Sequence, residues 1–191
     1  MVTLNDMASA IYGAYRLARA DTGGMAFFER SPAGAVKSFF AAVVVLPAYA
    51  LFQAFHYWGQ LGEIGLSKVV AIEGLIYVIG WTAFPVIMIS VTRWIDRQER
   101  YVDFLVAYNW SSVIQTAVLL PVVIIAETGA LPEPLIAIAG LALKLAVLVY
   151  LWFVVKTALN IAGPLAAGLV FADYVLSLII LGVSDGLIQP G

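Results

Sequence analysis

The chain has 191 residues, of which 63% are hydrophobic and 12% are charged, and it contains no cysteine. A soluble domain averages about 45–50% apolar and about 25% charged residues, and a core of this size could not hide so much apolar surface. The composition therefore excludes an ordinary soluble protein, disulfides and thiolate metal sites, and the net charge of −2 gives no reason to expect nucleic-acid binding.

The first 33 residues predict a separate cytoplasmic segment with a short amphipathic helix. Its apolar residues recur at helical spacing: Leu4, Met7, Ile11, Tyr15 and Ala18. Thr3 or Asn5 could cap the start, and Gly23-Gly24 would end the helix. Arg16 and Arg19 lie on its polar side, as in helices that lie in the headgroup layer. The alternative is a short helix packed against the cytoplasmic end of the bundle.

Residues 34–191 predict an all-α transmembrane domain with five spans. A helix that crosses about 30 Å of hydrocarbon needs about 20 mostly apolar residues. Five stretches qualify: Ala35 to Phe55, Val69 to Val91, Val102 to Ala126, Pro134 to Val155 and Pro164 to Val183. The breaks between them are short, so consecutive spans should be antiparallel neighbours in one bundle.

The basic residues predict the orientation of the bundle. Eight of the ten lie on one side of a five-span arrangement, Lys68 lies on the other side, and Lys144 lies within the fourth span. Because positive charge marks cytoplasmic loops, we expect the N-terminus inside and the C-terminus outside.

Catalytic and cofactor motifs are lacking in the sequence. The only histidine, His56, lies at a membrane edge, and no helical His/Glu pair of the kind that binds metals in bundles is present. No nucleophile elbow or phosphate-binding glycine loop occurs. We therefore expect a protein that is not an enzyme and that binds no cofactor or metal.

Three ionisable residues fall within the apolar stretches. Glu73 lies only four residues into the second span, so we expect it to reach water. Lys144 and Asp173 are deeper, and each would cost roughly 2.5–3.5 kcal/mol near a helix centre. In a hairpin of the last two spans their depths differ by roughly 4–5 Å, so we expect a buried pair. Such a pair would serve an ion relay or only fix the helix register.

A polar seam is predicted between the second and third spans. Prolines interrupt the first three spans at Pro47, Pro85 and Pro121, and each tends to kink its helix. Near the second proline, polar side chains from both spans could meet: Thr82, Asn109, Ser112 and Gln115. The seam would join the helices by hydrogen bonds or line a solute path.

Two stretches of the chain resemble the bacterial relatives of the Yip1 family. Residues 29–32 (Glu-Arg-Ser-Pro), followed by residues 37–40 (Lys-Ser-Phe-Phe) and Pro47, are similar to the first span of that family, and residues 103–110 are similar to the third. The resemblance implies a five-span protein of the bacterial cytoplasmic (inner) membrane whose role is undetermined. Eukaryotic members act in vesicle trafficking and bind small GTPases. Their Asp-Leu-Tyr-Gly-Pro element is missing here, so neither that activity nor any site residue is transferred.

Two functional hypotheses follow. The first is a non-enzymatic bundle that organises membrane components or partner proteins, with the lipid bilayer, other membrane proteins or a second copy as its partners. The alternative is a small oligomeric transporter or channel that uses the Lys144/Asp173 pair. The lack of an inverted repeat weakens the alternative, because transporters often contain one.

Overall fold

The computed structural model describes residues 2–127, 129 and 131–188, and all regular structure in these ranges is helical. The α-helices are α1 (Leu4–Ala18), α2 (Pro32–Ser38), α3 (Phe40–Tyr57), α4 (Leu61–Ile64), α5 (Leu66–Trp94), α6 (Tyr101–Glu127), α7 (Glu133–Leu159) and α8 (Gly163–Ile188). Two 3₁₀-helices, Thr22–Phe27 and Gln98–Arg100, lie before α2 and α6. The end of the predicted 34–191 domain, from residue 189 onward, lies outside the described residues.

Five helical segments are long and apolar enough to cross a membrane, which confirms the predicted number of spans: Pro32–Tyr57, Leu66–Trp94, Gln98–Glu127, Glu133–Leu159 and Gly163–Ile188. Each extends beyond the predicted range by one to five residues at its ends. The chain thus has the architecture of an integral membrane protein. The first span consists of α2 and α3, which meet at Phe39.

Several helix ends follow from local sequence. Thr3 caps α1 through a reciprocal capping box with Asp6, so the first of the two predicted caps is used. Ser31 caps α2, and Pro32 occupies the first turn, where its missing N–H costs nothing. Asn160 ends α7 in the left-handed conformation, with a φ of 51°, which asparagine tolerates better than most residues.

Helix α1 packs against α6 and α7 at one end of the bundle. Its buried face consists of Ala10, Gly13, Ala14 and Leu17, and Tyr150 of α7 donates a 2.9 Å hydrogen bond to the Ala14 carbonyl. Small residues on this face allow a close approach of backbones. Whether the outer face of α1 also lies in the headgroup layer stays a prediction.

The predicted apolar stripe of α1 is only partly the packed one. Met7 and Ile11 contact the core, whereas Leu4 and Tyr15 are exposed. The face of α1 that packs against the bundle is therefore centred on its small residues and not on its larger apolar side chains. Helix α1 also ends at Ala18, before the predicted glycine stop, because Gly23 and Gly24 belong to the following 3₁₀-helix.

The end of the bundle that contacts α1 is packed more closely than the opposite end. Near α1, Phe104, Val106 and Val155 are buried. At the opposite end, Leu135 and Ile138 of α7 are more than half exposed, as residues that contact lipid would be. Helix α8 packs against both α7 and α5.

Candidate functional site

A buried carboxylate, Glu73 on α5, is the centre of the candidate site. Its side chain accepts hydrogen bonds from the hydroxyl groups of Tyr49 (2.5 Å), Tyr57 (3.1 Å) and Ser184 (2.7 Å). Glu73 is 6% exposed, so it is buried by its neighbours rather than exposed at the edge of the span. Position along the span suggested an interface, but Glu73 lies on a face of α5 that meets α8 and the tyrosine side chains of α3.

Three helices supply the groups around this carboxylate. Tyr49 and Tyr57 are two turns apart on α3, so both can point to the same neighbour. Ser184 lies near the end of α8 and is buried. Tyr57 also packs with Val69 and Ile188 in a small apolar cluster. The carboxylate therefore lies in an apolar part of the bundle, where its polar contacts come from hydroxyl groups.

A cavity of about 350 Å³ opens between α3, α5, α6 and α8 and reaches Glu73. Three of the four aromatic side chains that line it lie next to one another, with ring centroids 4.5 Å apart for Tyr49 and Tyr77 and 6.1 Å apart for Tyr77 and Trp81. Polar lining groups include Gln53 and Ser112. The cavity thus combines an acidic group with the faces and edges of aromatic rings.

A second buried carboxylate, Asp173 on α8, is connected to the cavity through a tyrosine. Both of its oxygens accept from the hydroxyl of Tyr108, at 3.1 and 3.2 Å, and Tyr108 lines the cavity. Asp173, Ser177 and Ser184 recur on α8 at spacings of four and seven, which places them on one face. Asp173 and Ser184 are about 16 Å apart along the helix axis. A polar stripe therefore runs between the two carboxylates.

The predicted pair of Lys144 and Asp173 is not formed. Within the described ranges no ion pair of 4.0 Å or less joins them; Asp173 binds Tyr108 instead, and Lys144 is exposed on α7. Lys144 lies on the same face of α7 as Leu151 and Val155, because it precedes them by seven and eleven residues. Both of these residues are buried nearer the C-terminal end of the helix. The part of α7 that contains Lys144 is less closely packed than its C-terminal part. A similar depth in the bundle was therefore not enough to bring the two charges together.

The predicted polar seam between α5 and α6 is also not formed as expected. Thr82 and Ser112 donate to carbonyl groups of their own helices, and Gln115 donates to Ser111. Asn109 donates to Ser38 in the first span, and its Oδ1 has no partner among the described residues. Only Ser112 contributes to the cavity, alongside Trp81.

Arg16 of α1 and Arg19, which directly follows that helix, have partners within the N-terminal segment. Arg16 donates to Asp21 at 2.6 Å and lies over the ring of Phe27, 5.2 Å from its centroid. Arg19 lies over the ring of Tyr15. The acceptor Asp21 also receives the backbone N–H of Gly23, and these hydrogen bonds, that of Arg16 first, hold the pKa of its carboxyl below the ordinary value. Binding of either arginine to headgroups stays a prediction.

No group of three histidine or acidic side chains comes together in the part of the chain that the structure describes. The residues that sequence reasoning missed are Tyr49, Tyr57, Tyr108 and Ser184. A tyrosine in an apolar span resembles any interfacial aromatic residue in the sequence, so only the fold connects these hydroxyls to the two acids.

Comparisons with known proteins add no relative. No protein-family model, no curated protein and no solved structure matches this chain. The candidate site is therefore interpreted from its own geometry.

Proposed function

We propose that this protein is a non-enzymatic membrane carrier that binds a small cation at Glu73, in the cavity between α3, α5, α6 and α8. The observation that carries the proposal is the environment of Glu73, whose carboxylate is buried within a membrane-spanning bundle and accepts three hydroxyl groups. No basic side chain pairs with it among the described residues. An ionisable group inside a membrane is expensive and commonly marks an ion or substrate pathway.

The coordination of Glu73 leaves room for a ligand. A carboxylate offers about four lone-pair sites, and the hydroxyls of Tyr49, Tyr57 and Ser184 use three of them. A cation in the cavity could approach the fourth site. There it would also contact the rings of Tyr77 and Trp81, and aromatic faces attract cations by about 0.5–2 kcal/mol.

Protons and cations would compete at Glu73. A protonated carboxyl has lost the charge that attracts a cation, so the site holds one or the other. The proposed carrier therefore exchanges its cation for a proton. This differs from the transporter alternative that used the Lys144/Asp173 pair, because the acid at the cavity is Glu73.

Orientation and location complete the proposal. The basic residues support a cytoplasmic N-terminus and an external C-terminus, and the Yip1-family resemblance supports the bacterial inner membrane. A phosphatase fused to the C-terminus should then be active, and one fused after Arg100 should be inactive. Activity reversed at both positions would contradict this orientation.

A second candidate function, the organisation of membrane partners, is supported by Lys144. This lysine is exposed within a span and has no acidic partner in the described ranges. Because a charge facing lipid is costly, an acidic residue of another membrane protein or of a second copy would stabilise it. Cross-linking through Leu145→Cys, which is exposed beside Lys144 and leaves its charge in place, would test for such a neighbour.

Flux measurements test the carrier proposal. Purified protein in liposomes should transport labelled tetramethylammonium, a cation without a permeant neutral form, with saturable kinetics, and an internal pH dye should record proton movement in the opposite direction. Glu73→Gln should reduce this flux to the level of protein-free liposomes. Glu63→Gln removes the same charge from the exposed turn α4 and should leave the flux unchanged.

Two outcomes would contradict the carrier. One is the absence of saturable flux with the native protein, and the other is equal flux in native protein and Glu73→Gln. Gel filtration and circular dichroism of each variant would verify that the helical bundle is intact before reconstitution.

A further inference from the structure

Glu73 can be approached from a second direction. A groove of about 390 Å³ lies between α3 and α5 and shares Tyr49, Gln53, Glu73 and Tyr77 with the central cavity. Its rim includes Leu46 and Val70, which are 46% and 62% exposed on the outer surface of the bundle. In a membrane, this surface would contact the lipid chains. The wall that carries the carboxylate therefore separates an interior cavity from a groove open to the bilayer.

The two approaches differ in chemistry. The groove is lined by small and apolar side chains, among them Ala50, Ala54 and Val69, with Glu73 at its back. A hydrated inorganic ion would lose its water in such a groove without replacement ligands, which is costly. An anion would be repelled by the carboxylate. A molecule with a cationic head and an apolar tail would satisfy both the walls and the acid.

We infer that the ligand of this site is a hydrophobic organic cation that enters sideways from the membrane, through the groove between α3 and α5. The inference rests on the proposed function, because it assigns the chemical class of the cation bound at Glu73. The cationic head would lie against Glu73 and the rings of Tyr49 and Tyr77. The apolar tail would remain in the groove, where each buried methylene contributes about 0.8 kcal/mol relative to water.

Gly74 makes this route testable. It lines the groove next to Glu73 in the chain, and a Cβ added there would meet no atom within 4 Å. A leucine at this position would therefore project into the groove without a clash in the backbone. Gly182 of α8 is equally open and lines neither the groove nor the cavity, so it provides a matched control.

The experiment measures binding of tetramethyl-, butyltrimethyl- and octyltrimethylammonium to the protein in nanodiscs, with subtraction of protein-free nanodiscs. For the native protein, the dissociation constant in terms of aqueous ligand should fall by about fourfold per added methylene until the groove is filled. Gly74→Leu should weaken octyltrimethylammonium binding at least tenfold and leave tetramethylammonium within twofold. Gly182→Leu should change neither.

Each outcome separates this inference from the carrier proposal. Affinities that do not depend on chain length, or an equal loss of both ligands in Gly74→Leu, would overturn lateral entry while tetramethylammonium binding lost in Glu73→Gln still supports the carrier. Octyltrimethylammonium binding that neither Glu73→Gln nor Gly74→Leu alters would overturn both. Loss of the long-chain ligand alone in Gly74→Leu supports the inference.

Discussion

Ser184 of α8 donates a 2.7 Å hydrogen bond to Oε1 of Glu73 on α5, and both side chains are buried. The bond joins residues that are 111 positions apart in the chain. It links the last turns of α8 to α5 at the end of the bundle where packing is otherwise loose. A hydrogen bond to a charged group contributes about 1.5–3 kcal/mol. We therefore expect this contact to stabilise the packing of the C-terminal turns of α8 against α5.

Removal of the Ser184 hydroxyl should therefore destabilise the bundle. We expect Ser184→Ala to lower the free energy of unfolding by about 1–3 kcal/mol, measured by sodium dodecyl sulfate titration of the protein in mild detergent. Ser177→Ala is the control, because that hydroxyl donates only to the carbonyl of Asp173 in its own helix, and it should cost less than about 0.5 kcal/mol. Equal losses in the two variants would show that Ser184 has no special role.

Lys144 and Asp173 should behave as independent residues. Residues without a shared contact have additive effects within about 0.3–0.5 kcal/mol, so the losses of Lys144→Met and Asp173→Asn should sum in the double variant. Tyr108→Phe with Asp173→Asn should instead show a coupling of about 0.5–3 kcal/mol, since their side chains are hydrogen-bonded. The same unfolding titration measures both cycles. A coupling between Lys144 and Asp173 as large as that of the tyrosine pair would contradict the structure.

Gly13 and Gly186 should respond to alanine with opposite signs. A Cβ at Gly13 would lie 2.8 Å from the carbonyl oxygen of Gly24, whereas one at Gly186 would meet no atom within 4 Å. Alanine in a helix interior gains roughly 0.5–1 kcal/mol over glycine. Gly186→Ala should therefore be neutral or stabilising, and Gly13→Ala should cost about 1–3 kcal/mol through overpacking. Limited proteolysis at Arg16 and Arg19 would report whether α1 has detached, and unchanged cleavage in Gly13→Ala would argue against the close contact.

Acid should loosen the N-terminal segment. The pKa of Asp21 is lower in the folded protein because Arg16 and then Gly23 donate hydrogen bonds to its carboxylate. A lowered pKa means that this stabilisation is complete above the unfolded value, about 3.9, and is lost as the pH falls through the folded one. Hydrogen exchange of residues 4–27, corrected for intrinsic rates, should show weaker protection below about pH 4. Asp21→Asn should remove that part of the pH dependence, and its persistence would assign it to another group.

The fold was predictable from the sequence because lipid imposes a simple requirement. Each span must be long and continuously apolar, and that pattern can be counted along the chain. The site was not predictable in the same way, because hydropathy gives the depth of a residue but not the direction in which it points. The burial of Glu73 against hydroxyl groups of α3 and α8 was therefore not expected. The Lys144/Asp173 pair failed for a different reason, because the part of α7 that contains Lys144 is exposed.

Periodicity supplies part of the missing direction. Lys144 shares a helical face with Leu151 and Val155, and Asp173 shares one with Ser177 and Ser184. These relations could have identified the polar stripe of α8. They could not have identified Tyr49, Tyr57 and Tyr108 as its partners, because those contacts depend on how separate helices are placed side by side.

The docking of α1 has a consequence for the order of events on the ribosome. The carbonyl of Ala14 accepts a hydrogen bond from the hydroxyl of Tyr150, which is synthesised 136 residues later. At about 5–20 residues per second, the nascent N-terminal helix spends on the order of ten seconds without the surface that it finally covers. During that interval the first three spans and part of the fourth are synthesised, so the segment can dock only after most of the bundle has been made. A defect in α1 should consequently appear after membrane insertion, as a mature-length chain that is inserted but remains sensitive to proteases.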